Sequence, residues 1–204
     1  DEALAHCRVI VEATDLPVAA DLENGFSDSP EGVAETIRLA AATGLVGGSI
    51  EDFSGTKLYD LEHATDRIAA AVAAARALPF PFTLTARCEN FLRGNPDLDD
   101  TIRRLQAYER AGADVLFAPA LPDLAAVRAV CSALKKPVNF MVAIRGKSFS
   151  VQELKDAGVK RISLATSLYR AAMTGLIEAA REVSEKGTFT YLDRLADINA
   201  YLQR

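Results

Sequence analysis

Charged and polar side chains stand at the ends of several short apolar runs along this chain of 204 residues. Apolar runs separated by helix-patterned stretches are typical of parallel α/β proteins, in which the carboxyl ends of the strands face one side. Side chains placed there can converge on one pocket. The residues at these positions are Asp21, Glu23, Glu51, Asp52, Arg87, Glu89 and Asn139.

Three of these acids are candidate metal ligands. Hard divalent cations such as Mg²⁺ bind a few carboxylates together with water and substrate oxygens. Asp21, Glu23 and Glu51 could supply the carboxylates from adjacent strands, and period-two spacing places Asp21 and Glu23 on one face if the strand continues that far. We therefore expect Mg²⁺, with Mn²⁺ as the alternative ion, and we count Asp21 and Glu51 among the candidate catalytic residues.

The same strand ends carry candidate substrate-binding residues. Arg87 can hold a carboxylate through two parallel hydrogen bonds and is a candidate for catalysis as well as for binding. Glu89 and Asn139 are further substrate-binding candidates. One such charge taken alone is explained equally well as a solvated loop charge or an ion pair. Several charges at consecutive strand ends favour an active site.

Hydrophobic periodicity and chain-breaking residues predict the elements that position these side chains. Pro30 suits the first turn of a helix, and Gly44 and Gly112 each end one. The predicted strands span residues 18–20, 46–50, 82–86, 115–117, 137–142 and 161–164. The predicted helices span residues 3–13, 30–42, 60–77, 97–111, 124–134, 151–157, 166–184 and 191–202.

Strands alternating with helices predict a parallel sheet with right-handed crossovers, either an open doubly wound sheet or a barrel. A nucleotide-binding doubly wound sheet should carry G-x-G-x-x-G or G-x-x-x-x-G-K-[ST], and the sequence has neither. Polar residues after almost every strand instead favour an α/β fold of the (β/α)8 TIM-barrel type. We expect one domain over residues 1–204, with a C-terminal helical extension at about residues 187–204.

The composition and charge of the chain argue against some classes of binding partner. The chain is 50% hydrophobic, has a formal net charge of -5 and contains no apolar run near the ~20 residues that span a bilayer. We therefore expect no nucleic-acid or membrane partner and a cytoplasmic location. The cysteines, Cys7, Cys88 and Cys131, have no paired spacing and are expected to be reduced thiols. His6 and His63 fall within helix patterns away from the strand ends, so neither a zinc site nor a hydrolase triad is indicated.

Five motifs in order resemble those of the isocitrate lyase and phosphoenolpyruvate mutase superfamily. They are A-D-L-E-N-G-F at 20–26, G-S-I-E-D at 48–52, T-A-R-C-E at 85–89, A-G-A-D-V-L-F at 111–117 and P-V-N at 137–139. The resemblance runs from the start of the chain to about residue 180. It implies a (β/α)8 barrel, magnesium, 2-oxo acid or related carboxylate substrates, and the cleavage or formation of a carbon–carbon or carbon–phosphorus bond.

The resemblance also implies roles for individual residues. Asp21 would ligate magnesium, Glu23 and Glu51 would hold its waters, and Arg87 would contact the substrate or its enolate. Superfamily members form tetramers in which a C-terminal helix packs on a neighbouring barrel. A matching apolar stripe here consists of Tyr191, Leu192, Leu195, Ile198 and Leu202. We accordingly expect a homotetramer or homodimer with exchange of this helix.

The chain departs from the superfamily pattern in two places. Six strands are predicted where the barrel has eight, so the first two, including a carboxylate-binding loop, are expected to precede Asp1. The isocitrate lyases carry a K-[KR]-C-G-H loop with a cysteine proton donor. Here residues 53–57 read F-S-G-T-K, without cysteine or histidine, which argues against isocitrate cleavage.

These observations predict a Mg²⁺-dependent lyase or hydrolase that cleaves a carbon–carbon bond through an enolate. The predicted substrate is a small 2-oxo or 2-hydroxy dicarboxylate of about the size of oxaloacetate. One alternative is phosphonopyruvate hydrolase or phosphoenolpyruvate mutase-type chemistry at a carbon–phosphorus bond. The other is a catalytically silent barrel that binds a metabolite, because the lyase proton donor is missing.

Overall fold

A parallel β-sheet organises the computed structural model, which describes residues 2–199. Its six strands lie in sequence order as a curled half-barrel, and each neighbouring pair is parallel. This confirms the predicted α/β architecture with six strands. The strands are β1 (Ala19–Asp21), β2 (Gly47–Glu51), β3 (Thr83–Arg87), β4 (Val115–Phe117), β5 (Val138–Met141) and β6 (Arg161–Ser163).

Seven α-helices of the described part alternate with these strands close to the predicted positions. They are α1 (Glu2–Glu12), α2 (Pro30–Ala41), α3 (Leu61–Arg76), α4 (Leu98–Arg110), α5 (Leu124–Ala133), α6 (Val151–Asp156) and α7 (Ser167–Lys186). Several begin at a polar cap: the carboxylates of Asp60, Asp97 and Asp123 each accept a backbone N–H three residues on. The caps start each helix immediately after the loop that follows a strand.

Alternation along the strands separates the apolar core from the functional face. Leu84, Ala86 and Leu116 belong to the buried cluster with the helices, which also contains Ile68 and Leu105. Because side chains alternate across a strand, the residues between them lie on the opposite face of the sheet. Cα pairing then places Glu51 opposite Arg87 and Asp21 opposite Ser49. The strand-end charges therefore share the face turned away from the helices.

The chain divides into two compact units, residues 1–163 and 164–204. The first holds the sheet and α1 to α6, and the second holds α7 and a short 3-10 helix at Thr190–Arg194. No residue of α7 is buried. No helix within residues 2–199 is long and apolar enough to cross a membrane. The single domain with an extension from about residue 187 stays a prediction.

The predicted closing helix over 191–202 is wrong in its described part. Thr190–Arg194 forms a 3-10 helix, and residues 195–198 have no regular structure. Side chains bond to this segment: Glu182 accepts a 2.9 Å hydrogen bond from the Thr188 hydroxyl, and Asp197 accepts one of 2.9 Å from the Asn199 N–H. Leu202 lies outside the described residues.

Candidate functional site

A charged cavity of about 410 Å³ opens at the carboxyl ends of β1, β2 and β3. Asn24 and residues 53–55 contribute to its wall. Its charged lining consists of Asp21, Glu23, Glu51, Arg87 and Arg93. The structure therefore brings together all three predicted metal ligands and the predicted substrate-binding arginine.

Arg87 occupies the centre of this group. Its Nη1 lies 2.8 Å from Asp21 Oδ2, its Nη2 lies 3.4 Å from Glu51 Oε2, and its Nε donates to Glu89. Desolvation by burial opposes the charged form, but the charge of Glu89 and its hydrogen bond outweigh that effect and raise the pKa of Arg87. The guanidinium is therefore a permanent cation held in one orientation.

Glu51 is the acid whose ionisation this arrangement disfavours most. Desolvation by burial, followed by repulsion from Glu89, raises its pKa to about 7, and Arg87 only partly offsets the rise. Burial is the first cause of this rise and repulsion from Glu89 the second, so a further cation at the cavity would offset the repulsion.

Asp21 is an exposed acid of the group, with 57% of its side chain accessible to solvent. The condition for Asp21 and Glu23 to share a strand face is not met: β1 ends at Asp21, and Glu23 lies in a turn with φ of 49°. The carboxylate of Asp21 instead accepts the Glu23 N–H at 3.1 Å and the Ser49 hydroxyl at 3.0 Å. Turn geometry, rather than strand alternation, brings Glu23 to the cavity.

The donor set fits a divalent cation that keeps most of its water. Within residues 2–199 no three His, Cys, Asp or Glu side chains are grouped closely enough to hold one ion together. Four carboxylates, those of Asp21, Glu23, Glu51 and Glu89, outnumber the guanidinium groups of the site. Mg²⁺ commonly binds one or two carboxylates and several waters. An exposed Asp21 with Glu51 and Glu23 nearby suits that mode of binding.

Glu89 and Arg93 have roles in the geometry that the sequence did not reveal. The side chain of Glu89 is 0% exposed, so it lies behind the cavity rather than in it, and its carboxylate accepts the Nε groups of both Arg87 and Arg93. Arg93 itself was not predicted as a site residue. The Glu89–Arg93 spacing of four residues, typical of a helical ion pair, was the available signal.

Asn139 and Asp52 are predicted strand-end residues that do not line the cavity, and the prediction for Asn139 is wrong because it is the second residue of β5. Asn139 is buried between β5 and β6, where its amide bonds to Ser163 Oγ at 3.0 Å and to Arg161 at 2.9 Å, and it does not line the cavity. Asp52 is 2% exposed and accepts the Tyr108 hydroxyl at 2.6 Å. It also accepts the backbone N–H of Glu89 at 2.8 Å and thereby fixes the chain that follows β3.

Arg67 of α3 holds the cavity wall from behind. It is 1% exposed, stacks over the Tyr59 ring at 4.2 Å and donates to the Glu51 carbonyl at 3.1 Å. Its Nη2 donates to the carbonyls of Asn24 and Ser27 in the β1–α2 loop, the latter at 2.9 Å. One side chain thus ties that loop to the end of β2.

Comparisons with known proteins place this geometry in a family. A family model of phosphoenolpyruvate phosphomutase matches residues 1–184. The 2-methylisocitrate lyase of Escherichia coli (strain K12) is 31% identical over 199 residues, covering 92% of this chain and 66% of the lyase. A solved structure from Burkholderia cenocepacia J2315, provisionally named a lyase/mutase, is 53% identical with a TM-score of 0.94, over 98% of this chain and 74% of that one. A second structure from the same organism, provisionally named a phosphonomutase, is 38% identical with a TM-score of 0.82, over 88% and 74%.

The fold and these matches define the class as the isocitrate lyase/phosphoenolpyruvate mutase superfamily, whose TIM-barrel-like fold the chain shares. Within that superfamily, the chain belongs to the phosphoenolpyruvate phosphomutase family. The predicted resemblance and fold class are confirmed, and the relatives are named lyases and mutases. The chain spans about 66% of the length of the E. coli enzyme.

Proposed function

We propose that this protein is a Mg²⁺-dependent lyase or hydrolase that cleaves a carbon–carbon bond in a small 2-oxo or 2-hydroxy dicarboxylate through an enolate. The observation that carries the proposal is the Arg87 guanidinium held against Asp21, Glu51 and Glu89 at the carboxyl ends of parallel strands. Members of this superfamily are typically magnesium-dependent, which supports the choice of ion.

The residues of the cavity suit a reaction in which negative charge develops on an enolate. A fixed cation stabilises such charge best when it needs no reorganisation during the reaction, and Arg87 is fixed along three of its edges. Asp21 would hold the ion, and Glu23 and Glu51 would hold its waters. Bound Mg²⁺ would supply Lewis-acid polarisation of the substrate oxygens.

The residues that line the cavity indicate which type of bond cleavage the site could support. Neither a cysteine nor a histidine stands among its described residues, and Cys88 is 0% exposed. Burial also raises the pKa of the Cys88 thiol well above its ordinary value, which makes it a poor proton source or nucleophile at neutral pH. We therefore favour a reaction whose enolate is protonated by water over isocitrate-type cleavage.

A second candidate is carbon–phosphorus chemistry on phosphonopyruvate, by hydrolysis or by mutase-type transfer. The family match and the 38% identity to the protein provisionally named a phosphonomutase favour it. The same cavity serves both candidates, because both reactions pass through enolate-like charge beside a carboxylate. The substrate assay must therefore separate them.

The test is turnover by the purified protein with MgCl₂, followed by proton and phosphorus NMR on oxaloacetate and on phosphonopyruvate, with EDTA-treated protein as control. Mg²⁺-dependent loss of oxaloacetate above its background decay supports the main proposal. Release of phosphate or formation of phosphoenolpyruvate supports the second. Mg²⁺ binding without turnover of either compound would contradict both and favour a barrel that only binds a metabolite.

We also propose that the protein acts in the cytoplasm as a homotetramer or homodimer that exchanges its C-terminal segment, with no nucleic-acid or membrane partner. Cys7, Cys88 and Cys131 are all free thiols, which suits a reducing compartment. Large apolar side chains of the second unit are exposed, among them Leu168 and Leu195. Exposed apolar surface of this kind is typical of an assembly contact.

A further inference from the structure

Two arginines face the cavity, and they are held in different ways. Arg87 directs each of its three nitrogens at a carboxylate, namely those of Asp21, Glu51 and Glu89. Arg93 donates a hydrogen bond only through its Nε, to Glu89 at 3.0 Å, and its Nη2 forms a long ion pair with Glu51 Oε1 at 3.6 Å without a hydrogen bond. Within residues 2–199 the terminal nitrogens of Arg93 therefore make no hydrogen bond.

Arg93 is nevertheless fixed in place. Its guanidinium stacks over the Phe53 ring at 4.0 Å from the ring centroid, and its Nε is bound by the fully buried Glu89 carboxylate. About 36% of its side chain stays exposed. The result is a planar fork with one edge held and the other edge open, a geometry suited to a carboxylate or a phosphonate.

The charge of the cavity indicates which part of a ligand the open edge of Arg93 could bind. Asp21, Glu23 and Glu51 in the lining repel an anionic ligand, and a ligand with two anionic groups would be repelled twice. A metal ion at Asp21 could receive only one end of such a molecule. A cation with unused hydrogen-bond donors can receive the other end. Within residues 2–199 both terminal nitrogens of Arg93 lack a hydrogen bond, whereas Arg87 already uses its Nε and Nη1.

We propose that Arg93 is a specificity-determining residue that binds the second anionic group, carboxylate or phosphonate, of the substrate. This inference rests on the proposed function, because it takes Arg87 and the ion site as the reacting end. It predicts that the protein selects dianionic ligands over otherwise matched monoanionic ones.

The test measures binding by calorimetry in MgCl₂ with two matched pairs of probes. Malate and lactate differ in a distal carboxylate, and phosphonopyruvate and pyruvate differ in a phosphonate. The wild-type protein should bind the dianion of at least one pair more tightly, and Arg93→Gln should weaken that dianion on the order of tenfold, because a charge-assisted hydrogen bond is lost. Binding of the monoanions should not change. Arg103→Gln, at an exposed arginine of α4, is the control and should bind as the wild type does.

The pattern of losses identifies the anionic group. If Arg93→Gln weakens the binding of malate alone, the second anionic group is a carboxylate. If it weakens the binding of phosphonopyruvate alone, that group is a phosphonate. If Arg93→Gln unfolds, Phe53→Leu leaves the arginine but removes its stacking partner and should weaken the same dianion by a smaller factor. Equal binding of both members of each pair, or selectivity that survives in Arg93→Gln, would overturn the inference. So would a wild type that binds no probe. The proposed function is decided separately, by turnover.

Discussion

At the scale of single residues, three carboxylates surround the Arg87 guanidinium and leave an excess of negative charge. Burial first and the like charge of Glu89 second oppose the ionisation of Glu51 and raise its pKa to about 7. A cation bound at the cavity would favour the ionised form. Two predictions test the members of this group.

The first prediction concerns Asp21 and magnesium. Asp21→Ala removes an exposed carboxylate of the cavity and should abolish Mg²⁺ binding, because hard cations need anionic oxygen ligands. Calorimetric titration with MgCl₂ measures the effect. Asp99→Ala, at an exposed acid in the first turn of α4, is the control and should bind as the wild type does. Equal affinity of Asp21→Ala and wild type would contradict the assignment.

The second prediction concerns the shape of the Arg87 side chain. Arg87→Lys keeps the positive charge but loses the fork that serves several carboxylates at once. It should lower kcat/KM on the order of a hundredfold, equivalent to ~2.7 kcal/mol of transition-state stabilisation. Steady-state kinetics on the turned-over substrate measure this, with Arg103→Lys as control. A variant as active as the wild type would make Arg87 purely structural.

At the scale of elements, helices α3 and α4 hold the cavity through buried polar contacts from behind the sheet. Tyr108 of α4 binds Asp52, and Arg67 of α3 binds backbone carbonyls of the β1–α2 loop and of β2. These contacts fix loops that sheet hydrogen bonds do not reach. Site geometry therefore depends on helix side chains far from the chemistry.

The third prediction measures that dependence. Arg67→Met leaves buried carbonyl groups of Asn24, Ser27 and Glu51 without their donor and should lower the free energy of unfolding by about 2–4 kcal/mol. Urea denaturation followed by circular dichroism gives the value. Arg38→Gln on α2 is the control, since this arginine is half exposed in a surface ion pair and should change stability by less than ~1 kcal/mol. A similar, small change for both variants would show that Arg67 is not a tether.

At the scale of the whole molecule, the second unit exposes many large apolar side chains. No residue of α7 is buried, and large apolar side chains beyond it, such as Phe189 and Ile198, are more than half exposed. Monomeric proteins rarely expose so much apolar surface in one stretch of chain. The proposed assembly would cover this surface.

The fourth prediction concerns this assembly. A chain truncated after Lys186 loses Phe189, Leu192, Leu195 and Ile198, all exposed. If these residues contribute to the contact between subunits, the truncated protein should have a lower mass by light scattering than the intact chain at the same concentration. The charge substitution Leu195→Glu in the intact chain should act in the same direction. An unchanged mass in both would show that the segment takes no part in assembly.

The sequence by itself determined the order of elements, the parallel sheet and the strand ends that carry Asp21, Glu51 and Arg87. Hydrophobic alternation, helix caps and helix-ending glycines each involve residues close together in the chain, so they can be recognised from the sequence alone. The same logic failed at Tyr191, where the apolar stripe suggested an α-helix but the chain forms a 3-10 helix over Thr190–Arg194.

Only the tertiary structure decided which strand-end charges share the cavity. Asp52 directly follows the end of β2 but turns to the buried Tyr108, and Asn139 lies near the start of β5, where it bonds to Arg161 and Ser163 of β6. Which hydrogen-bond partner a buried polar side chain has depends on groups distant in the chain and on the free-energy cost of burying an unpaired charge. Neither produces a periodic pattern in the sequence. For the same reason the sequence did not indicate Arg93 as a site residue. Its role is evident only in the folded structure, where it stacks on Phe53.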